Sequence, residues 1–312
     1  MLSIKDKILL SPLWLIGNMP MWVLHGLSTF FYLLLYQVAG YRKKVVFRNL
    51  TNAFPEKSDA ERKLIMKKFY KQLCDVFFES LYQHRMTPEE SKRRYRFENT
   101  ALYDYLLSQN KDIICMTGHY ANWEWSNVGW RQMPQRTIGV YKPLMNRLFD
   151  KYFIYLRTRM GSQVVPIRET FKFAVTARRN KDRWAILLVG DQRPAAHEIK
   201  LWVNFLNQDT PVVLGPEKMA QKFDAAVVFF DVQPVKRGYY KIVPELLFED
   251  SKKTSEHEIT QKFFETLEKQ IRKRPEYYLW SHKRWKYTRE SDEQLVEQHQ
   301  NKKNVKNLTE SN

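Results

Sequence analysis

The chain has 312 residues, of which 52 are lysine or arginine and 34 are aspartate or glutamate, so its formal net charge at pH 7 is +18. Hydrophobic residues make up 44% and aromatic residues 14%, which excludes a mostly disordered protein, a class that is poor in both. The two cysteines, Cys74 and Cys115, are too few for a disulfide framework or a thiolate-rich zinc site, and fit a reducing compartment. The positive charge predicts anionic partners: nucleic acid, a phospholipid surface or an acidic protein.

The first element is an apolar segment, residues 8–40, which contains no aspartate, glutamate, lysine or arginine. Its part from Met21 to Ala39 is long enough to cross a bilayer, which takes roughly 20 residues. Residues 5–7 carry a net charge of +1, and residues 42–48 carry +4. The positive-inside rule therefore places the bulk of the chain in the cytoplasm. We predict that residues 1–40 form a membrane-anchoring helix; a buried core helix and an amphipathic helix lying in the membrane plane are the alternatives.

Residues 41–97 are predicted to form a basic, largely helical region. Residues 41–60 are expected to be a connector, with Ser58 or Asp59 as the N-cap of the helix that follows. From residue 61 to residue 86, apolar side chains recur every three to five positions, as on one face of a helix. The other face of this helix carries lysines, which are either solvated or in contact with anionic headgroups.

From about residue 98 to residue 288, short apolar runs alternate with longer amphipathic segments. Predicted strands lie at 112–118, 136–141, 162–167, 184–191, 225–232 and 239–243, and predicted helices at 143–160, 169–180, 211–223 and 254–273. This alternation is typical of an α/β fold with a mostly parallel central sheet flanked by helices. Ligands of such sheets bind at the carboxyl ends of the strands. The polar residues 289–312 are predicted to be a disordered tail.

A candidate catalytic pair follows the predicted strand 112–118 directly, in the sequence T-G-H-Y-A-N-W-E at 117–124. His119 lies at the carboxyl end of that strand, Asn122 is expected to cap the next helix, and Glu124 lies in the helix's first turn. From there the Glu124 carboxylate can reach the imidazole, and the helix N-terminus favours its ionised form. A carboxylate that holds one ring nitrogen leaves the other free as a general base. The spacing does not fit a helical zinc motif, and we predict no metal.

The H-x4-E spacing alone has low specificity, but further motifs follow it in a definite order. They are V-Y-K-P-L-M-N at 140–146, L-R-T-R-M-G at 156–161, G-D-Q-R-P at 190–194, F-L-N-Q-D-T at 205–210 and P-E-Y-Y-L-W-S-H-K-R-W-K at 275–286. In this order, the motifs resemble the lipid A biosynthesis acyltransferases of the lysophospholipid acyltransferase superfamily. The resemblance covers nearly the whole chain and leaves out only the polar tail.

The resemblance implies a glycerolipid-acyltransferase-like fold and a membrane-associated O-acyltransferase. Its reaction would move a fatty acyl chain from acyl carrier protein, or from acyl-CoA, to a hydroxyl of a lipid A precursor, with no cofactor. His119 and Glu124 match the family's catalytic pair, which activates the acceptor hydroxyl. The resemblance further implies a place at the bacterial inner membrane, with anionic membrane lipid as a partner and the catalytic domain on the cytoplasmic face.

Four other residues match positions near the family's site. Arg159, and as second choice Arg157, match a basic position that supports the oxyanion or a phosphate. Asp191 matches a supporting acid, and Lys142 matches a basic residue placed to meet a substrate phosphate. One departure is that residues 191–193 are D-Q-R, where the family often has D-Q-S or D-H, and this points to a different acceptor headgroup.

The distribution of charge agrees with this function. Residues 131–184 contain 13 Lys+Arg and 3 Asp+Glu, a net charge of +10 (13 − 3), which suits a phosphorylated headgroup and an acidic carrier protein. The tyrosines, tryptophans and basic residues at 277–286 are expected to form a belt at headgroup level or, alternatively, to be core aromatics flanked by charge. His282, within this segment, is expected to be structural or interfacial rather than catalytic.

Two alternative functions are open from the sequence. The first keeps the chemistry but changes the acceptor to a lysophospholipid or an aminolipid with a hydroxyacyl chain. The second is a membrane-tethered nucleic-acid-binding protein, suggested by the charge of +18. Against it, the sequence contains no helix-turn-helix, zinc-finger or RNA-recognition motif.

Overall fold

The fold comes from a computed structural model, and the structure describes residues 3–128 and 133–289. The helices of this part are α1 (Ile4–Leu9), α2 (Ser11–Gly17), α3 (Met21–Leu33), α4 (Lys43–Ala53), α5 (Asp59–Tyr82), α6 (Pro88–Arg94), α7 (Ala101–Ser108), α8 (Arg147–Thr158), α9 (Thr170–Arg179), α10 (Gly215–Phe223) and α11 (Glu258–Lys273). The strands are β1 (Tyr95–Phe97), β2 (Ile113–Thr117), β3 (Arg136–Tyr141), β4 (Gln163–Pro166), β5 (Trp184–Val189), β6 (Leu201–Phe205), β7 (Gln208–Val212), β8 (Ala226–Lys236) and β9 (Tyr239–Phe248). The predicted tail lies outside the described residues, apart from Arg289.

Seven of these strands form one sheet, in the order β1-β9-β8-β2-β5-β3-β4. Strands β8, β2, β5, β3 and β4 run parallel to one another, whereas β9 is antiparallel to β8 and parallel to β1. Each of the six predicted strand regions overlaps a strand of this sheet, although β8 and β9 extend beyond their predicted ends, and helices flank the sheet. The predicted α/β fold with a mostly parallel sheet is therefore confirmed.

Strand β2 lies in the middle of the sheet, between β5 and β8, and all five of its residues are buried. Parallel strands that are covered on both faces are continuous apolar runs rather than alternating ones, which is why 113–117 is I-I-C-M-T. In the register of the pair, Thr117 at the end of β2 lies beside Val189 at the end of β5. The residues that follow these two strands therefore emerge at the same edge of the sheet.

A two-stranded antiparallel hairpin, β6–β7, lies outside the main sheet and was not predicted. Its two turn residues, Leu206 and Asn207, both have positive φ (54° and 59°), as a type I′ turn requires. Because leucine rarely adopts that conformation, the sequence lacks the usual Asn-Gly signal. The helix predicted at 211–223 starts only at Gly215, since β7 occupies the first residues of that range. Strand β1 is only three residues long and was also missed.

The predicted connector at 41–60 is wrong for most of its length, because α4 occupies Lys43–Ala53. Val46, Leu50 and Ala53 lie on one face of α4 and are fully buried, so the apolar spacing of a helix was present within the basic composition. The predicted cap of α5 is confirmed. Ser58 accepts from the backbone N–H of Glu61, and the Glu61 side chain accepts from the backbone of Ser58, which is a capping box.

The apolar N-terminus is broken into α1, α2 and α3, and α3 continues as a π-helical turn at Leu34–Val38. By length and composition alone, Met21–Val38 is long enough and apolar enough to cross a membrane, and 22% of it is buried. Two of its polar residues face the protein, since His25 contacts Glu79 and Ser28 donates to Asp75 of α5, whereas Gln37 near its end is exposed. Apolar side chains cover the outer face, which does not fit a buried core helix.

The closing segment 277–286 is part of the core, so the predicted headgroup belt is wrong and its alternative is correct. Tyr278, Trp280 and Arg284 are at most 3% exposed. The segment is buried because it pairs with the chain that follows β2. Ala121 donates its backbone N–H to the carbonyl of Tyr277, and Leu279 donates to the carbonyl of His119.

Candidate active site

Two glycines allow the site to form at the ends of β2 and β5. Gly118 precedes His119, and a Cβ on it would lie 2.6 Å from a methyl group of Leu267 on α11. Gly190 precedes Asp191, and its Cβ would lie 3.0 Å from the ring of Phe263, one turn earlier on α11. A Cβ at either position would crowd α11, so the two glycines favour its close packing beneath the strand ends. As a result, His119 after β2 and Asp191 after β5 lie side by side at the ends of neighbouring strands.

His119 and Asp191 are joined by two hydrogen bonds. The imidazole Nδ1 lies 2.7 Å from Oδ1 of Asp191, and the backbone N–H of His119 donates to the same oxygen at 3.1 Å. The Asp191 side chain is 4% exposed and the His119 side chain 23% exposed. A carboxylate accepts hydrogen bonds, so Nδ1 carries the proton and Nε2 keeps its lone pair. Within the described residues, Nε2 has no hydrogen-bond partner.

His119 and Asp191 each stabilise the charged form of the other. Burial alone would lower the pKa of His119, but the negative charge of Asp191, the hydrogen bond to it and the charge of Glu124 outweigh burial and raise the pKa above its usual value. Burial would likewise raise the pKa of Asp191, but the charge of His119, their hydrogen bonds and the charge of Arg284 hold that pKa below its usual range. His119 is therefore a stronger base than an isolated imidazole, and Asp191 stays ionised.

Glu124 contacts Arg157 rather than the imidazole. Asn122 caps the turn after His119, as predicted, but the turn is a 3₁₀ helix (Trp123–Asn127), from which Glu124 faces α8. The guanidinium of Arg157 donates to both carboxylate oxygens, at distances of 2.9–3.3 Å. A bidentate bond between two charges is stronger than one to a neutral ring, which accounts for the difference from the expected contact. Glu124 remains near enough to raise the pKa of His119.

The other predicted site residues lie in different places. Lys142 is exposed at the end of β3 and lines the same cavity as His119. Arg159, the first choice for the basic position, donates to the carbonyls of Gln83 and Met86 at 2.6 Å and 3.0 Å and does not line the cavity. Arg193, the departure from the family pattern, donates to the carbonyl of Lys283 in the closing segment.

A cavity of about 480 Å³ opens in front of His119. Its polar lining includes His119, Glu124, Lys142, Arg157 and Gln192, and its apolar lining includes Val140, Leu144, Met145, Val164, Ile167, Leu187, Leu188 and Val189. The volume is in the usual range for a small-molecule site, and the mixture of an apolar wall with a few convergent polar groups is typical of one. A reacting group near His119 and an alkyl chain along strands β3, β4 and β5 fit this lining.

One pattern in the sequence indicates the contact between His119 and Asp191, although the predicted partner of His119 was Glu124. Strands β2 and β5 are each followed by glycine and then an ionisable residue, G-H at 118–119 and G-D at 190–191. Burial lowers the pKa of His282 to about 4 and keeps it neutral at physiological pH, and His282 does not line the cavity in front of His119. In residues 3–128 and 133–289, no group of three or more histidine, cysteine, aspartate or glutamate side chains is arranged to hold a metal ion.

Comparison with known proteins gives a consistent result. A family model described as bacterial lipid A biosynthesis acyltransferase matches residues 5–287. The lipid A biosynthesis lauroyltransferase of Escherichia coli (strain K12) is 25% identical to this chain over 279 residues, which covers 88% of this chain and 89% of that protein. The residues that the family model matches include every residue of the site and of the cavity lining.

Proposed function

Because the chain belongs to the bacterial lipid A biosynthesis acyltransferases and is an acyltransferase, we propose that it moves a fatty acyl chain from acyl carrier protein to a hydroxyl of a lipid A precursor. The observation that carries the proposal is the 2.7 Å contact between His119 Nδ1 and Asp191, which leaves Nε2 available as a base on a ring that lines the cavity. Membership of the family favours this function over nucleic-acid binding.

His119 acts as the general base in this proposal. Its Nε2 takes the proton of the acceptor hydroxyl while the hydroxyl oxygen attacks the carbonyl carbon of the donor thioester. Asp191 holds the ring and stabilises the imidazolium that forms. When the tetrahedral intermediate collapses, the carbon–sulfur bond breaks and the thiolate of the donor leaves. The proton on His119 then passes to that thiolate, so that an ester and a free thiol are the products.

Glu124 and Arg157 form the second part of the proposed site. Their ion pair lines the cavity beside His119, with side chains that are 19% and 23% exposed. Arg157, rather than Arg159, is the guanidinium placed to bind the oxyanion or a phosphate of the acceptor, because the Arg159 guanidinium donates to the carbonyls of Gln83 and Met86, which do not line the cavity. Glu124 orients Arg157 and adds negative charge near the imidazolium. Lys142, at the rim, is placed to meet a further phosphate.

The outer face of α3 supports association with a membrane. Trp22 and Phe30 are 77% and 56% exposed, whereas His25 and Ser28 point inward to α5. A helix with its apolar side out and its polar side bonded to the protein body fits one that lies in the membrane interface. We place the catalytic domain on the cytoplasmic face of the bacterial inner membrane. Flotation of the protein with vesicles of anionic phospholipid should be lost in Trp22→Glu, and binding unchanged by that variant would contradict a membrane contact through α3.

The test of the reaction uses purified protein, acyl carrier protein loaded with a labelled fatty acid, and a tetra-acylated lipid A precursor. Mass spectrometry of the lipids should show a gain of one acyl group that is absent with His119→Ala. Parallel reactions with acyl-CoA as donor, and with a lysophospholipid or a hydroxyacyl aminolipid as acceptor, decide the donor and the acceptor. Transfer by His119→Ala at the wild-type rate would disprove the role of the histidine.

A further inference from the structure

Glu79, on α5, is a fully buried carboxylate to which the chemistry proposed above gives no role. Its Oε2 accepts hydrogen bonds from Asn122 Nδ2 at 2.6 Å and from the hydroxyl of Tyr240 at 2.8 Å. Its Oε1 lies 3.2 Å from Nε2 of His25 on α3. Burial of a carboxylate is unfavourable unless hydrogen bonds replace those to water, and here three side chains replace them.

The bond to Asn122 bears on the active site. Asn122 is fully buried and lies between His119 and Glu124 in the chain. Its Nδ2 donates to Glu79, while its Oδ1 accepts from the backbone N–H of Trp125 at 3.1 Å and so caps the 3₁₀ turn. A carboxylate can only accept hydrogen bonds, so Glu79 determines which end of the amide faces the turn. Without Glu79, the amide of Asn122 is free to reverse and the cap is lost.

The backbone of α5 holds the same loop at a second point. The carbonyl of Glu79 accepts from Nε1 of Trp125 at 2.8 Å. One turn later, the side chain of Gln83 donates to the carbonyl of Glu124 at 3.4 Å. The end of α5 therefore lies along residues 122–125. The conformation of Ala121, which has a left-handed φ of 52°, shows that the loop needs such support.

We propose that Glu79 is a positioning residue for acyl transfer, which acts through Asn122 on the loop that carries His119 and Glu124. This inference rests on the proposed function. A displacement of a reacting group by about 1 Å lowers a rate by about 100-fold, and the loop is the part of the chain that sets the distance from His119 to the substrate. Through His25, the same carboxylate also joins this loop to α3, whose outer face is apolar.

Asp75 offers a matched control. It lies one turn before Glu79 on α5, is also buried, and also binds α3, through Ser28. Its other partner is Arg237, in the turn between β8 and β9. In the described residues, Asp75 makes no hydrogen bond to the 119–125 loop. Removal of Asp75 therefore perturbs the packing of α3 and the stability of the fold without releasing the loop.

The experiment measures kcat, KM for the acyl donor and Tm for Glu79→Ala, Glu79→Gln, Asn122→Ala and Asp75→Ala in one detergent. We expect Glu79→Ala to lower kcat by about 10- to 100-fold with little change in KM. Glu79→Gln should stay close to the wild type, because its amide oxygen can still accept from Asn122 and Tyr240. Asp75→Ala should lower Tm but retain kcat. The double variant Glu79→Ala/Asn122→Ala should be no slower than the slower single variant, because both act on one contact.

A second measurement keeps the inference independent of activity. Hydrogen exchange at the backbone amides of Ala121 and Trp125 should be faster in Glu79→Ala, and unchanged in Asp75→Ala. A normal kcat in Glu79→Ala, an equal loss of kcat in Asp75→Ala, or effects that multiply in the double variant would each overturn the inference. If the wild-type protein transfers no acyl group, the proposed function fails, and the exchange rates alone then decide whether Glu79 holds the loop.

Discussion

The substitution Asp191→Asn tests how the site makes His119 a base. It keeps the size of the side chain and removes the charge that stabilises the imidazolium in the transition state. A hydrogen bond to a charged group contributes about 1.5–3 kcal/mol, which corresponds to a rate about 10- to 150-fold lower. The loss should fall on kcat, because the imidazolium forms only when the hydroxyl reacts.

The pH dependence gives a second, independent expectation. In the wild type, kcat/KM should fall as the pH decreases through the pKa of His119, which Asp191 and Glu124 raise above its usual value. Because the largest raising effect comes from Asp191, the variant Asp191→Asn should have a lower His119 pKa. The acid limb of its profile, where kcat/KM falls as the pH decreases, should therefore lie at a lower pH than in the wild type. The difference in rate between the variant and the wild type should also become smaller under acidic conditions.

Glu124→Gln is the control for this experiment. Of the two negative charges that raise the pKa of His119, Glu124 has the smaller effect, and its replacement also breaks the ion pair with Arg157. We therefore expect a loss of rate, with a smaller displacement of the acid limb than in Asp191→Asn. Initial rates with the labelled acyl donor, measured from pH 5 to pH 9, supply both quantities. A wild-type rate and an unmoved acid limb in Asp191→Asn would refute the reasoning. A larger displacement in Glu124→Gln would assign the imidazole to Glu124 instead.

Three further predictions concern packing, stability and chain length. Gly118→Ala should destabilise the fold by about 1–3 kcal/mol, seen as a lower Tm, because the new Cβ meets Leu267; an equal loss for Gly118→Ala in the Leu267→Ala background would disprove the clash. Burial lowers the pKa of His282 from 6.5 to about 4. Between pH 6.5 and about pH 4, the unfolded chain therefore binds a proton at His282 that the folded chain does not. The free energy of unfolding falls as the pH decreases through this range. Urea unfolding from pH 7 to pH 5 should therefore cost the wild type about 2 kcal/mol more than His282→Gln, and equal losses would contradict this assignment. Val164→Phe narrows the cavity and should lower kcat/KM for long acyl chains by up to about fourfold for each methylene group that no longer fits. An equal loss for all chain lengths would argue against binding of the acyl chain in this cavity.

Much of the α/β core could be predicted because its signals are local. Strand β3, predicted at 136–141, is observed as Arg136–Tyr141, and β2 and β5 fall within their predicted ranges. A buried parallel strand is marked by its own apolar run and needs no information from elsewhere in the chain. The position of His119 at the end of β2 followed from the same signal.

The elements that were missed depend on contacts that the sequence does not display. In the hairpin β6–β7, Leu206 adopts a conformation that leucine rarely has on its own, and the tertiary structure imposes it. In α4, the basic composition concealed three buried positions on a helix that packs against α5, and whose Asn49 donates to the carbonyls of Trp280 and His282 in the closing segment. Likewise, the aromatic residues at 277–286 resemble an interfacial belt in composition, and only their pairing with the loop after β2 shows that they are core.

The partner of the His119 imidazole shows most clearly why the H-x4-E spacing could not identify the carboxylate that contacts it. Glu124 is five residues from His119, but Asp191 is 72 residues away and arrives at hydrogen-bond distance because β2 and β5 are neighbours. Once α8 presents Arg157 to Glu124, the charged pair is the better bond. The described cavity lining then contains a neutralised ion pair and, in the transition state, an imidazolium balanced by Asp191. Lys142 is left as a positive charge without an ion-pair partner in the described residues, and the proposed substrate, a phosphorylated lipid, supplies the opposite charge.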